Sequence, residues 1–339
     1  MLNTENDWMV IFMKRIFAML MACLMIAGSF GGCTQRSAVP EIDPAPPVKE
    51  QPEELPPAKT YPEEKPEELP PAEEEIPAEP VAEEEEERSL LEPANPAAVT
   101  EFSAYAALDG SKLGWGPGGP VDELNRSQGA LSYQEKYGKY DAHFIGQNSK
   151  KIYLSFDQGY ENGYTAPILD TLKEKNCPAL FFLTGHYVKT QPELIQRMMD
   201  EGHTLGSHST DHICFPDTPL ESCKEDVEWL HSYVKDNFNY EMSLFRFPAG
   251  EFSEKTLKLM QDMGYKSVFW SFAYRDWETD NQPDPTEALN TIVSKAHPGA
   301  IILLHSVSST NAEILGQVID ELRAQGYEFA SFEENFAEE

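Results

Sequence analysis

From Lys151 onward the chain alternates short apolar runs with amphipathic stretches, and this rhythm restricts the fold more than any other feature of the sequence. Seven runs read as strands, at 152–156, 179–183, 204–207, 244–247, 268–272, 300–304 and 327–331. Six stretches between them read as helices, at 165–175, 192–201, 220–235, 254–263, 286–296 and 312–325, several closed by the glycine of "EG", "MG" or "QG". Strands that alternate with helices imply βαβ crossovers, hence a parallel sheet covered on both faces. Closing that sheet into a barrel is the economical solution. With about 190 residues the barrel would be smaller than a full eightfold one, and a doubly wound open sheet is the alternative. The glycine-rich, aromatic residues before it form a lead-in segment, assigned to 98–150, packed on a catalytic domain at 151–336.

Polar residues collect at or just past the C-terminal ends of the strands. Asp157 follows the first, His186 the second and His208 the third; Arg246 lies in the fourth, Asp276 follows the fifth and His305 the sixth. This is the end at which α/β barrels carry their active sites. In "HSTDH", His208 and His212 are spaced i, i+4, so in a helical or tight loop turn both imidazoles face one way and can share one ion. A metal on two neutral imidazoles and a carboxylate keeps positions open for water and a carbonyl. His305 closes the apolar run "AIILLH", which leaves its imidazole at a rim, suited to a general acid. Asp157 suits a general base, and Arg246, set between apolar residues in "RFPAG", is its countercharge. Taken singly, each residue could be an ordinary surface group; core packing alone does not deliver six of them to one rim.

Composition matters mainly for what precedes this domain. "MKRIFAMLMACLMIAGSFGGC" has a basic pair, Lys14 and Arg15, an apolar run at 16–26 and small residues ending at Cys33. Residues 1–33 therefore read as an export signal, too short for a comfortable membrane span, with Met13 the better start. "SFGGC" resembles the lipobox of bacterial lipoproteins, so Cys33 is the expected site of a lipid anchor; a plain signal peptide is the alternative. Either way the folded part works outside the cytoplasm. Residues 34–97 are proline and glutamate with "PEELPPA" twice, and 40–96 hold 19 acidic against 4 basic residues, a net of −15 out of −32 for the whole chain. Such a segment cannot bury a core and is expected to be a disordered, extended stalk. Its charge argues against nucleic acid as a partner. Apart from Cys23 and Cys33, the cysteines are Cys177, Cys214 and Cys223, an odd number without zinc-finger spacing.

The ordered motifs "FDQG", "HSTDH", "RFPAG", "RDW" and "LLH" together resemble the polysaccharide deacetylases, carbohydrate esterase family four, also called the NodB homology domain. The resemblance implies a distorted (β/α)7 TIM-like barrel that removes N-acetyl groups from sugars with a divalent metal, zinc or else manganese or cobalt. Carried over by position, Asp157 is the base, His305 the acid, Arg246 orients Asp157 and Asp276 tunes His305. His208 and His212 are metal ligands. The backbone N–H of Ala249 falls at the oxyanion donor, Trp277 walls the groove, and Gly159 and Tyr160 border the substrate. Where the family has a second aspartate as third ligand, this chain has Gln158, a neutral and weaker donor. "FDQGYENGYT" is most similar to the "FDNGYENGYT" of the delta-lactam-biosynthetic de-N-acetylases, which act on N-acetylmuramic acid in peptidoglycan ahead of muramic lactam formation in spore cortex. That branch implies action on peptidoglycan strands, and the chain is expected to be a monomer. The alternatives are an N-acetylglucosamine or chitooligosaccharide deacetylase, or a catalytically weak glycan-binding lipoprotein in which Gln158 has cost the site its metal.

Overall fold

The structure, a computed structural model, describes residues 91–336; the expected export signal, Cys33 and the expected stalk to residue 90 lie outside the described residues. In chain order the strands are β1 (Leu113–Gly114), β2 (Ala142–His143), β3 (Lys151–Gln158), β4 (Ala179–Leu183), β5 (Thr204–Ser207), β6 (Leu244–Phe245), β7 (Glu251–Phe252), β8 (Lys266–Val268), β9 (Phe272–Ala273), β10 (Ala300–His305) and β11 (Glu328–Phe329). The α-helices are α1 (Gln128–Tyr137), α2 (Thr165–Glu174), α3 (Gly185–Thr190), α4 (Pro192–Asp200), α5 (Leu220–Phe238), α6 (Glu254–Asp262), α7 (Pro285–Ser294) and α8 (Ser309–Ala324).

The main sheet runs β2-β8-β6-β5-β4-β3-β10-β9, and all its pairings are parallel. β3 and β10 are adjacent, buried almost throughout, in a register that sets His305 opposite Asp157. The expected fifth strand is broken in two. Its first part, β8, pairs with β6, and its second, β9, pairs with β10, so the chain 266–273 carries the sheet around without a continuous ladder. The parallel strands thus curl into a distorted, incompletely laddered barrel. The last expected strand shrinks to β11, which pairs with Lys151 and Ile152 of β3 below the point where β4 begins at Leu154. Phe182 of β4 is paired with Gly206 of β5, and a Cβ on Gly206 would lie 2.6 Å from the Phe182 ring, so only glycine fits there.

Side-chain caps set the helix starts. Ser308 accepts a hydrogen bond from the Asn311 backbone N–H, which starts α8 at Ser309, three residues before the apolar pattern does. Asp284 caps α7, and Ser253 with Thr256 forms a capping box on α6. α1, missed in the apolar pattern, is capped by Ser127. The lead-in packs through aromatic rings: Phe144 stacks on Phe269 at 4.2 Å, and the Trp115 indole donates to the Trp270 carbonyl at 2.9 Å. Packing begins earlier than composition indicates, because Leu91 and Ala94 are already buried and the Ala94 N–H donates to Met242 O. Among the described residues no helix is long and apolar enough to cross a membrane.

Candidate active site

Asp157 is the seventh residue of β3, and Arg246 follows directly on β6. Arg246 is completely buried, and each of its three guanidinium nitrogens donates a hydrogen bond. Nη1 donates to Asp157 Oδ1 at 2.9 Å, Nε to the Val268 carbonyl at 2.9 Å and Nη2 to the Phe269 carbonyl at 3.1 Å. The guanidinium also lies 4.1 Å from the Phe182 ring centroid. Burial alone would raise the Asp157 pKa, but the electrostatic influence of His208, Arg246 and His305 outweighs it and holds the carboxyl below its ordinary range. Asp157 is therefore an ionised, oriented carboxylate.

His208 follows β5, with Nε2 3.5 Å from Asp157 Oδ2. Its Nδ1–H donates to the Arg246 carbonyl at 2.9 Å, which fixes the tautomer and leaves the Nε2 lone pair facing the carboxylate. Burial pushes its pKa down to about 4, so the ring is neutral near pH 7. His212 lies with its ring centroid 5.0 Å from that of His208, at 77°. The i, i+4 pair sits in a loop, not a helix, in which Ser209 and His212 take positive φ (70° and 51°). Asp226 of α5 holds that loop: Oδ1 accepts the Thr210 N–H at 2.9 Å and Oδ2 the Asp211 N–H at 3.0 Å. Sequence reasoning missed Asp226, which carries no local motif and is adjacent only through the fold.

His305 ends β10. Its Nδ1–H donates to Asp276 Oδ1 at 2.7 Å and its backbone N–H to Asp276 Oδ2 at 2.8 Å. Burial would lower its pKa, but the Asp276 hydrogen bond and charge, with Asp157, raise it above the ordinary value. The Trp277 ring, half exposed, lies 5.6 Å from the His305 ring. Tyr160 is likewise about half exposed, and Gly159 is exposed beside it. Ala249 takes a left-handed conformation (φ 54°), and its N–H takes part in none of the described hydrogen bonds. His186, expected on the same rim, is exposed at the start of α3 and outside the cluster, because the chain turns into that helix directly after β4.

Gln158 is buried. Nε2 donates to Ser306 Oγ at 2.5 Å, while Oε1 is buried without a partner. Among the described residues no group of three or more His, Cys, Asp or Glu is placed to hold a metal, since the position that would supply the third carries an amide. The two imidazoles themselves fit an ion: rings bound at ~2.1 Å with a tetrahedral angle have centroids about 5 Å apart. The backbone carbonyl on His208 Nδ1 is the kind of support that metal-ligating histidines receive. Glu161, within "FDQGYENGYT", is a loop fastener: Oε1 accepts the Gly163 N–H at 2.6 Å and Oε2 lies 3.2 Å from the Tyr187 hydroxyl, which donates to it.

Residues 145–268 match the profile of the family described as polysaccharide deacetylase. The peptidoglycan-N-acetylmuramic acid deacetylase PdaA of Bacillus subtilis is 44% identical over 198 residues, 58% of this chain and 75% of that protein. The solved structure of Bacillus subtilis PdaA, a family 4 carbohydrate esterase, aligns with a TM-score of 0.65 at 38% identity, covering 68% of this chain and 99% of that one. A peptidoglycan-N-acetylglucosamine deacetylase of Bacillus cereus is 30% identical over 199 residues, 56% of this chain and 90% of that protein. On these matches, and on a barrel whose rim gathers its acid, its histidines and its buried arginine, the chain belongs to the polysaccharide deacetylase family, carbohydrate esterase family 4.

Proposed function

We propose that this hydrolase removes the acetyl group from N-acetylmuramic acid residues of peptidoglycan, as a monomer outside the cytoplasm held to the membrane by lipid at Cys33, and so prepares the sugar for muramic lactam formation. The observation that carries the reaction is the pairing of an ionised Asp157, fixed by Arg246, with a His305 whose affinity for a proton is raised by Asp276, on neighbouring strands in direct register. Two groups pushed in opposite directions are the base and acid of one cycle. Asp157 takes the proton of the attacking water, the Ala249 N–H donates to the oxygen that gains charge, and His305 gives a proton to the departing nitrogen. Tyr160 and Trp277 present exposed rings on which pyranose faces can lie.

His208, His212 and the open Oε1 of Gln158 would hold a divalent cation, zinc by preference for imidazole. When bound, such an ion polarises the acetyl carbonyl and acidifies water. The resemblance in the Gln158 region and the higher identity to the muramic acid deacetylase support muramic acid over glucosamine. The test is acetate release from muramic-acid-containing glycan and from N-acetylglucosamine oligomers, compared with Asp157→Asn. Loss of about 10²-fold or more in kcat on the muramic substrate is expected. Equal turnover by Asp157→Asn, or turnover confined to glucosamine, overturns this reading.

A further inference from the structure

The Asp276–His305 pair has a support that no sequence motif announced. Asn311, third residue of α8 and almost wholly buried, donates from Nδ2 to Asp276 Oδ2 at 2.6 Å and to the His305 carbonyl at 3.1 Å. The Tyr274 hydroxyl donates to Asn311 Oδ1. An amide's two ends are told apart by their partners. Here the phenol supplies a proton to one end and the Asp276 carboxylate can only accept at the other, so the N–H2 must face the carboxylate. The turned amide would press oxygen against a buried anion.

We propose that Asn311, fixed by Tyr274, is a positioning residue for catalysis, holding Asp276 rotated so that Oδ1 stays aimed at His305 Nδ1. Three donors reach the Asp276 carboxylate: His305 Nδ1–H on Oδ1, and the His305 backbone N–H and Asn311 Nδ2–H on Oδ2. The Asn311 donor alone comes from outside the pair, and it ties the carboxylate to the capped start of α8. The other charged or titratable groups that act on His305 are Asp157, Arg246 and His212. None of them contacts Asn311 in the described hydrogen bonds, so a change at Asn311 reaches His305 through Asp276.

This inference rests on the proposed roles of Asp276 and His305, and its test separates the two. The His305 imidazole is titrated by NMR without substrate, and kcat is followed against pH on muramic-acid-containing glycan, in the parent, Asn311→Leu and Tyr274→Phe. Asn311→Leu is expected to lower the His305 midpoint by about 0.5 pH unit or more. The alkaline limb of kcat moves with it, kcat falls about tenfold and KM is unchanged. Tyr274→Phe, which leaves the core volume intact, shifts both in the same direction by less. A His305 midpoint unmoved in Tyr274→Phe and in any folded Asn311→Leu protein overturns the inference, as does a loss of rate with the limb in place. A parent that releases no acetate defeats the proposed function instead, while the NMR titration still decides this point.

Discussion

Replacing Arg246 by methionine removes the cation beneath Asp157 while keeping most of the volume against Phe182. Taking one partner from a buried ion pair costs about 3–5 kcal/mol. The Val268 and Phe269 carbonyls lose their donors too, at about 1 kcal/mol each, for a total of about 5–7 kcal/mol. That is a large part of the 5–15 kcal/mol typical of a folded domain, roughly. The loss depends on pH in a definite sense. In the parent, Asp157 has a lowered folded pKa, so its contribution is fully present above the unfolded carboxylate value of about 3.9 and disappears only as pH falls through the folded one. In Arg246→Met, burial is no longer opposed by the guanidinium, and the folded pKa rises above the unfolded one. Protonating the carboxylate, or the adjacent His208, then relieves the unpaired charge, and the variant recovers stability as pH falls from 7 toward about 4.5. Urea unfolding of both proteins at pH 7 and 4.5 measures this. A deficit below about 2 kcal/mol at pH 7, or one that does not narrow on acidification, would refute the reasoning.

Three further expectations can be tested alongside it. Because His305 must be protonated to release the amine and its pKa is raised, activity is lost as pH rises through that value; Asp276→Asn should move the alkaline limb of kcat to lower pH and lower kcat on the order of 10²-fold, and an unmoved limb contradicts the assignment. Gln158→Asp supplies the carboxylate that the histidine pair lacks, so zinc affinity measured by competition with a chromophoric chelator should rise on the order of tenfold or more, and unchanged affinity would remove residue 158 from the ion's surroundings. Ala249→Gly keeps the backbone N–H and relieves a left-handed alanine, so it should leave kcat nearly unchanged and raise stability by up to about 1 kcal/mol, read as a shift in Tm.

Where apolar runs were long and bounded, the sequence was a sufficient guide: β4 and β5 fall at their expected limits, and β10 differs by one residue. It failed where side chains replace backbone pairing. The run 268–272 looks like one strand, yet Arg246 intervenes and splits it into β8 and β9. That Asp157, His208, His212, Arg246, Asp276 and His305 come together was legible because strand ends in such a barrel converge. His186 was misjudged because a helix follows β4 at once. Asp226, Asn311 and Tyr274 were invisible for a different reason: each acts across long sequence separation on a group that is itself only a support, and no local pattern marks such a residue.

The break between β8 and β9 also constrains anyone who would strengthen this protein. After Phe245 pairs with Ser267, the next rung would call on the backbone around Val268; there the guanidinium of Arg246 takes the carbonyls of Val268 and Phe269 instead. The gap is a socket. A redesign that made this strand regular would compete for those two oxygens and release the arginine from Asp157, gaining sheet at the expense of the carboxylate's aim.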